Sequence, residues 1–236
     1  MDTVNLCIDI GNTTTKAALY IGREEIAYIK PFTAELFKEL VSTHSPRVLV
    51  SKTGSNPELE DLLQDSDYLD HNTSLPIQID YKTPDTLGRD RIAAAVGAYA
   101  LQKDVSWLIL DLGTCLTIDL LADNTFRGGL ISPGVQMRFR AMNEFTAGLP
   151  LVNLDCNVIF PGKSTKESMQ IGVCQGITYE INGYVSQMNT VHEDLQIVDC
   201  SSENIHFGKE VKNKIFARQK LVLEGLNYII QYNAKK

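Results

Sequence analysis

Short runs of apolar residues separated by turn residues dominate the first third of the chain. Residues 4–10 are apolar and partly β-branched, and the run stops at Gly11, Asn12 and three threonines. Two further short strands, 16–21 and 25–31, follow through Gly22, and three such strands in succession predict an antiparallel meander. A helical period then covers 33–43, a strand covers 47–51, and Pro57 near the start of 57–64 marks another helix. Residues 77–81 read as a strand, 83–88 as a loop, and the Ala-rich stretch 91–103 as a helix whose small face suits close packing.

The pattern then restarts. Residues 107–112 form an apolar strand ending at Gly113 and Thr114, followed by strands at 116–121 and 125–131. Each meander carries an Asp and a Gly at its first turn, Asp9 with Gly11 and Asp111 with Gly113, which points to duplication of one α/β unit. The expected architecture is two similar lobes, 1–104 and 105–236, with a ligand cleft between them. Ser132, Pro133 and Gly134 read as a helix start, with Ser as cap and Pro at the first helical position. Ser164 to Glu167 fit a capping box before a long helix reaching about residue 191. On that helix Gly172, Gly176 and Gly183 share one face and read as close packing, including at a subunit interface. A last amphipathic helix covers 221–230.

Composition narrows the partners. The chain has 236 residues, 44% hydrophobic, with a formal net charge of -7. The acidic balance argues against broad binding to nucleic acid or to anionic membranes. No segment approaches 18 consecutive apolar residues, and the N-terminus lacks the features of a secretory signal. The five cysteines are scattered and odd in number, so reduced thiols in a cytoplasmic protein are expected. The four histidines show no zinc-site spacing.

Four segments carry chemistry. In the first, Asp9 at a strand end can hold Mg²⁺, and Gly11 permits a tight turn. The amides and hydroxyls of Asn12, Thr13, Thr14 and Thr15 can then face phosphate oxygens, with Lys16 as a nearby charge. A plain polar hairpin fits the same residues, and the second copy at Asp111 and Thr114 favours the phosphate reading. In the third, Gly88, Arg89, Asp90 and Arg91 put one carboxylate between two guanidiniums just before a helix. Arg neighbours lower an Asp pKa, which suits orienting a hydroxyl in phosphoryl transfer; a helix cap paired with an Arg fits as readily. In the fourth, Phe126, Arg127, Gly128 and Gly129 stand with the Ser132–Gly134 turn, and the paired glycines allow close approach of a ligand or of another backbone; two tight turns around a strand fit nearly as well.

Taken in order, these motifs resemble type III pantothenate kinase, a family within the actin, sugar kinase and heat-shock chaperone ATPase superfamily. The resemblance rests on DIGNTTTK at 9–16, Tyr81, LGRDR at 87–91, DLGTCLTID at 111–119, GGLISPG at 128–134, TAGLP at 146–150, GKSTKESMQIG at 162–172 and LVLEGL at 221–226. It implies two duplicated ribonuclease H-like lobes and ATP-dependent phosphorylation of pantothenate, the first step toward coenzyme A. Carried over by position, Asp9, Ile10, Gly11, Asn12, Thr13, Thr14, Thr15, Lys16 and Thr114 bind ATP, with Asp9 near Mg²⁺. Asp90 is the general base. Tyr81, Gly88, Arg89, Asp90, Arg91 and Thr165 line the pantothenate site, and Asp111 holds a monovalent cation, K⁺ or NH₄⁺. The resemblance also implies a homodimer. The chain departs from the family at Cys115 and Leu116, where small residues are usual. It departs again at 205–209, where a Thr-Gly-Gly turn is usual and a single Gly stands. Two other functions fit the same fold: an accessory regulator without turnover, and a kinase for another hydroxylated acid.

Overall fold

A computed structural model describes residues 3–201 and 215–235. The departure expected at 205–209 lies outside the described residues. The chain packs as two units. The first comprises 1–104, 121–128 and 219–236, and the second 105–120 and 129–218.

In the first unit β1 (Val4–Ile10), β2 (Thr15–Ile21) and β3 (Glu24–Ile29) form the expected meander. β4 (Arg47–Lys52) joins β1 in parallel, and β5 (Asp67–Tyr68) joins β4, giving the order β3-β2-β1-β4-β5. Strand alternation sends Leu6, Ile8, Ile10, Ala17, Leu19 and Val50 into one core, where Phe32, Phe37, Leu59 and Leu63 meet them. Two of these come from α1 (Ala34–His44) and α2 (Pro57–Glu60). Thr33 caps α1 by accepting the Leu36 N–H. The helix expected over 57–64 closes after a single turn.

The other face of this sheet carries α6 (Leu221–Asn233), which packs on β1 and on α3 (Arg89–Leu101). The small residues expected to permit close packing do so. A Cβ on Gly97 would stand 2.5 Å from the Leu221 carbonyl oxygen, and one on Gly225 would stand 1.9 Å from that of Ala93. Thus the C-terminal helix, which the sequence division at 104 leaves with the second half, packs in the first unit. A short strand, β6 (Gln78–Ile79), pairs in parallel with Thr125 and Phe126.

The second sheet contains β7 (Trp107–Leu112), β8 (Cys115–Ala122), β9 (Thr125–Pro133), β10 (Gln196–Asp199) and β11 (Ile215–Ala217). Its order, β11-β10-β7-β8-β9 with β6 beyond β9, repeats the first sheet's plan and bears out the duplication. The core of the second unit joins Leu108, Leu110 and Leu112 to Val135 and Phe139 of α4 (Val135–Glu144) and Ile177 and Ile181 of α5 (Thr165–Asn189). Ser164 caps α5 by accepting the Glu167 N–H at 3.2 Å, while the Glu167 carboxylate accepts the Lys163 N–H at 2.6 Å.

Two local expectations are corrected and one is narrowed. Ser132 and Pro133 end β9 instead of opening a helix, and Gly134 is the residue before α4. A proline closes a strand as well as it opens a helix, since neither place needs its missing N–H. A Cβ added at Gly172 or Gly183 would meet nothing within 4 Å, so these glycines pack against nothing in their own chain. Cys156 and Cys174 are disulfide-bonded, with Cα atoms 5.6 Å apart, so the thiols are not all reduced. Sequence spacing could not show that the loop before α5 folds back over its third turn. No described helix is long and apolar enough to cross a membrane.

Candidate active site

In the first unit the turn from β1 to β2 is built as expected. The Gly11 N–H donates to the Thr14 carbonyl at 3.2 Å, closing a tight loop, and a cavity of about 260 Å³ is lined by residues 11–15 with Pro31, Phe32, Ser55 and Asn56. Asn12 and Thr13 are exposed, whereas Thr15 turns inward and its hydroxyl accepts from the Asn56 amide at 3.1 Å. Ile10 sends its side chain into the core, and its carbonyl accepts the N–H groups of both Thr53 and Gly54. Gly54 is the tightest contact on the loop: a Cβ there would lie 2.2 Å from the Gly11 carbonyl oxygen.

Asp9 is 7% exposed and sits opposite Lys16 across the β1–β2 pair. Burial pushes its pKa up to about 6, the charge of Asp90 adds to the rise, and Lys16 and the Ser51 hydroxyl oppose it. Asp9 Oδ1 is buried without a hydrogen-bond partner. A carboxylate oxygen left bare in this way fits a cation that completes its coordination.

Asp90 falls in the first turn of α3, not ahead of the helix, and the residue before the helix is Gly88. One carboxyl oxygen accepts the Arg91 N–H at 2.8 Å. The expectation that its Arg neighbours lower its pKa is overturned: burial raises it and outweighs the Arg91 charge, the backbone N–H and the Thr53 hydroxyl. Arg89 contributes little because its guanidinium is turned away, donating to the carbonyls of Pro84 and Asp85 at 3.2 and 2.9 Å. A base whose pKa is lifted toward neutrality removes a proton better than a strongly acidic one.

Arg91 is buried beside two rings, with its guanidinium carbon 5.9 Å from the Tyr81 centroid and 5.7 Å from that of Phe126. The rings themselves are tilted at 6.0 Å. Gly128 takes φ +90°, with the Tyr81 ring 3.5 Å from a Cβ position. The first unit therefore gathers Asp9, Lys16, Tyr81, Gly88, Asp90 and Arg91.

In the second unit Thr114 is exposed at the turn after β7, and Asp111 is half-buried near that strand's end. Gly134 donates its N–H to the Thr114 carbonyl at 3.1 Å, and a Cβ on it would meet the Gly113 carbonyl oxygen at 2.2 Å. A Cβ on Gly129 would meet the Ile118 carbonyl oxygen at 2.0 Å. Both glycines thus serve backbone approach within the fold. Thr165 is exposed at the first position of α5. Among the described residues no cluster of three or more His, Cys, Asp or Glu could hold a metal.

Nothing in the sequence singles out Ser51, Thr53, Gly54 or Asn56. The Gly-Ser-Asn-Pro run at 54–57 marks a turn, but nothing local shows that the turn lies against Gly11.

The family model for type III pantothenate kinase matches residues 5–187. The chain is 36% identical over 241 residues to a type III pantothenate kinase of Phocaeicola vulgatus, covering 98% of this chain and 100% of the relative. Among solved structures it is similar to a Baf family transcriptional activator from Campylobacter jejuni. The TM-score is 0.61 and the identity 18%, covering 98% of this chain and 100% of the other. A ROK hexokinase from Thermus thermophilus is similar with TM-score 0.54 and 13% identity, covering 96% and 98%. At these identities the structures speak for a shared actin-like sugar-kinase fold.

Proposed function

The chain belongs to the type III pantothenate kinase family, and from that premise we propose that it transfers the terminal phosphoryl group of ATP to the primary hydroxyl of pantothenate, the entry step to coenzyme A. The observation that carries this reading is the buried Asp9, with one bare carboxyl oxygen, set opposite Lys16 across the β1–β2 pair, on a chain matched by that family over residues 5–187.

In this reading the loop amides and hydroxyls of Gly11–Thr14 hold ATP phosphates, with Thr114 as a further contact. Lys16 balances part of their charge. Asp9 would hold Mg²⁺, directly or through water, and bound Mg²⁺ neutralises charge on the phosphates. Asp90 accepts the proton of the pantothenate hydroxyl, a role helped by the burial that raises its pKa. Tyr81, Gly88, Arg89, Arg91 and Thr165 line the pantothenate site, where a guanidinium suits the substrate carboxylate. Asp111 would hold K⁺ or NH₄⁺ beside the phosphates.

The proposal includes a cytoplasmic homodimer. Its support is the exposed face of α5, where Gly172, Tyr179 and Gly183 lie together, Tyr179 being 64% exposed.

The test is phosphate transfer from Mg-ATP to pantothenate in K⁺, NH₄⁺ and Na⁺ buffers. Turnover that falls in Na⁺ supports both the reaction and the cation site. Folded protein without turnover in any of the three overturns the assignment, and turnover only with another hydroxy acid moves it to a different acceptor.

A further inference from the structure

One short segment braces both carboxyls of the proposed reaction. Ser51, on β4, is the register partner of Asp9 on β1 and is 0% exposed. Its hydroxyl draws down the pKa of Asp9. Ser51 Oγ and Asp9 Oδ1 are both buried with no closed hydrogen bond to any group. Just past the strand, the Thr53 hydroxyl lies near enough to the Asp90 carboxyl to draw its pKa down. Its own backbone is tied to β1, the Thr53 and Gly54 N–H groups donating to the Ile10 carbonyl at 3.0 and 2.9 Å. Gly54 then lies against Gly11, so the segment cannot shift without moving the loop.

We infer that Ser51 and Thr53 are positioning residues for phosphoryl transfer: two hydroxyls two residues apart on one strand end orient the carboxylates of Asp9 and Asp90. This deepens the proposed function and rests on it. At Ser51 the hydroxyl is a poor choice for stability alone. A buried hydroxyl without a partner carries an uncompensated desolvation cost, and an apolar group of similar shape avoids it. At Ser51 an Ala would fill the site with no bare polar atom, and at Thr53 a Val is nearly isosteric. The polar groups are therefore explained by the carboxylates they face. A Ser51 hydroxyl closed onto its register partner Asp9 fixes which oxygen stays open. Thr53 does the same for Asp90, leaving the other oxygen for the acceptor hydroxyl. Catalysis is sensitive to such placement, because a shift of about 1 Å can cost on the order of 100-fold.

The test compares the full chain with Ser51→Ala, Thr53→Val and Thr53→Ser. Three readouts are taken: kcat and KM for pantothenate, unfolding midpoint, and ADP affinity with and without Mg²⁺ by calorimetry. Thr53→Val is expected to lower kcat by about 10–100-fold, with pantothenate KM and unfolding midpoint close to wild type. Thr53→Ser should recover most of the rate. Ser51→Ala should leave stability equal or higher while weakening the Mg²⁺ enhancement of ADP binding by about 10-fold. Active wild type with unaltered variants overturns this inference alone. A rate loss that tracks loss of stability, without rescue by Ser, also overturns it. Wild type that transfers no phosphate to pantothenate overturns the proposed function itself, and with it the role of Thr53.

Discussion

Asp9, on β1, senses the charge of Asp90, on α3: after burial, it is the strongest influence raising the Asp9 carboxyl to about 6. A raised carboxyl pKa means the fold prefers the protonated form. Its contribution is absent well below the ordinary value of 3.8, where folded and unfolded chains both carry the proton. As pH rises from there through about 6, the unfolded chain ionises first and stability falls. Asp9→Asn removes that penalty. It should stabilise the protein without ligands by about 1–3 kcal/mol at pH 8 and change little at pH 4. Urea unfolding at both pH values measures this, and a stabilisation larger at pH 4 would contradict it.

The same carboxyl pair bears on rate. Asp90→Asn keeps the shape and the acceptor for the Arg91 N–H but cannot take a proton. Removing a positioned base lowers rate by about 10²–10⁴-fold. Steady-state kinetics should show the loss in kcat, with pantothenate KM little changed. A rate within a few-fold of wild type would remove Asp90 from the role of base.

What can be read in advance follows local periodicity. Strands β1 to β3 and β7 to β9 each carry their signal in seven or so residues, and the Asp-Gly turns stand at their ends. The long helix is marked by Ser164 and Glu167. Long-range pairing leaves no such trace. Gly225 looks like any helix glycine until its partner Ala93 is known, and Ser51 looks like the polar end of an ordinary strand. The pKa of Asp90 is misread from the sequence because only one of its two Arg neighbours acts on it: Arg91 lowers it, while Arg89 turns to the carbonyls of Pro84 and Asp85. Burial, which decides the sign, depends on the whole unit.

The α3–α6 contact holds the helix that carries Asp90 and Arg91. A Cβ at position 225 would lie 1.9 Å from the Ala93 carbonyl oxygen, and backbone cannot step aside as a side chain does. Gly225→Ala gains helix propensity of about 1 kcal/mol, but forcing the helices apart costs about 1–3 kcal/mol or more. The net change should be destabilising, and kcat should fall with it because Asp90 moves. A thermal melt above wild type would show that the helices repack freely.

Arg91 sets its flat guanidinium over the rings of Tyr81 and Phe126. A lysine keeps the charge but not the plane, so the two are not interchangeable at this place. Arg91→Lys should raise pantothenate KM by about 10-fold and lower stability by about 1 kcal/mol, the scale of a cation–π contact. Equal KM values for the two proteins would place Arg91 in packing only.

Gly172 and Gly183 offer a separate test, because space around them in their own chain is open. In an exposed helix, Ala in place of Gly is favourable by about 0.5–1 kcal/mol. If the face they share with Tyr179 meets a second copy, two added methyl groups hold the helices apart and the association weakens. Gly172→Ala with Gly183→Ala should therefore raise the intrinsic stability of the chain while shifting sedimentation toward monomer at low micromolar concentration. A dimer of unchanged affinity would move the interface to another face, and a chain that never dimerises would remove the homodimer from the proposed function.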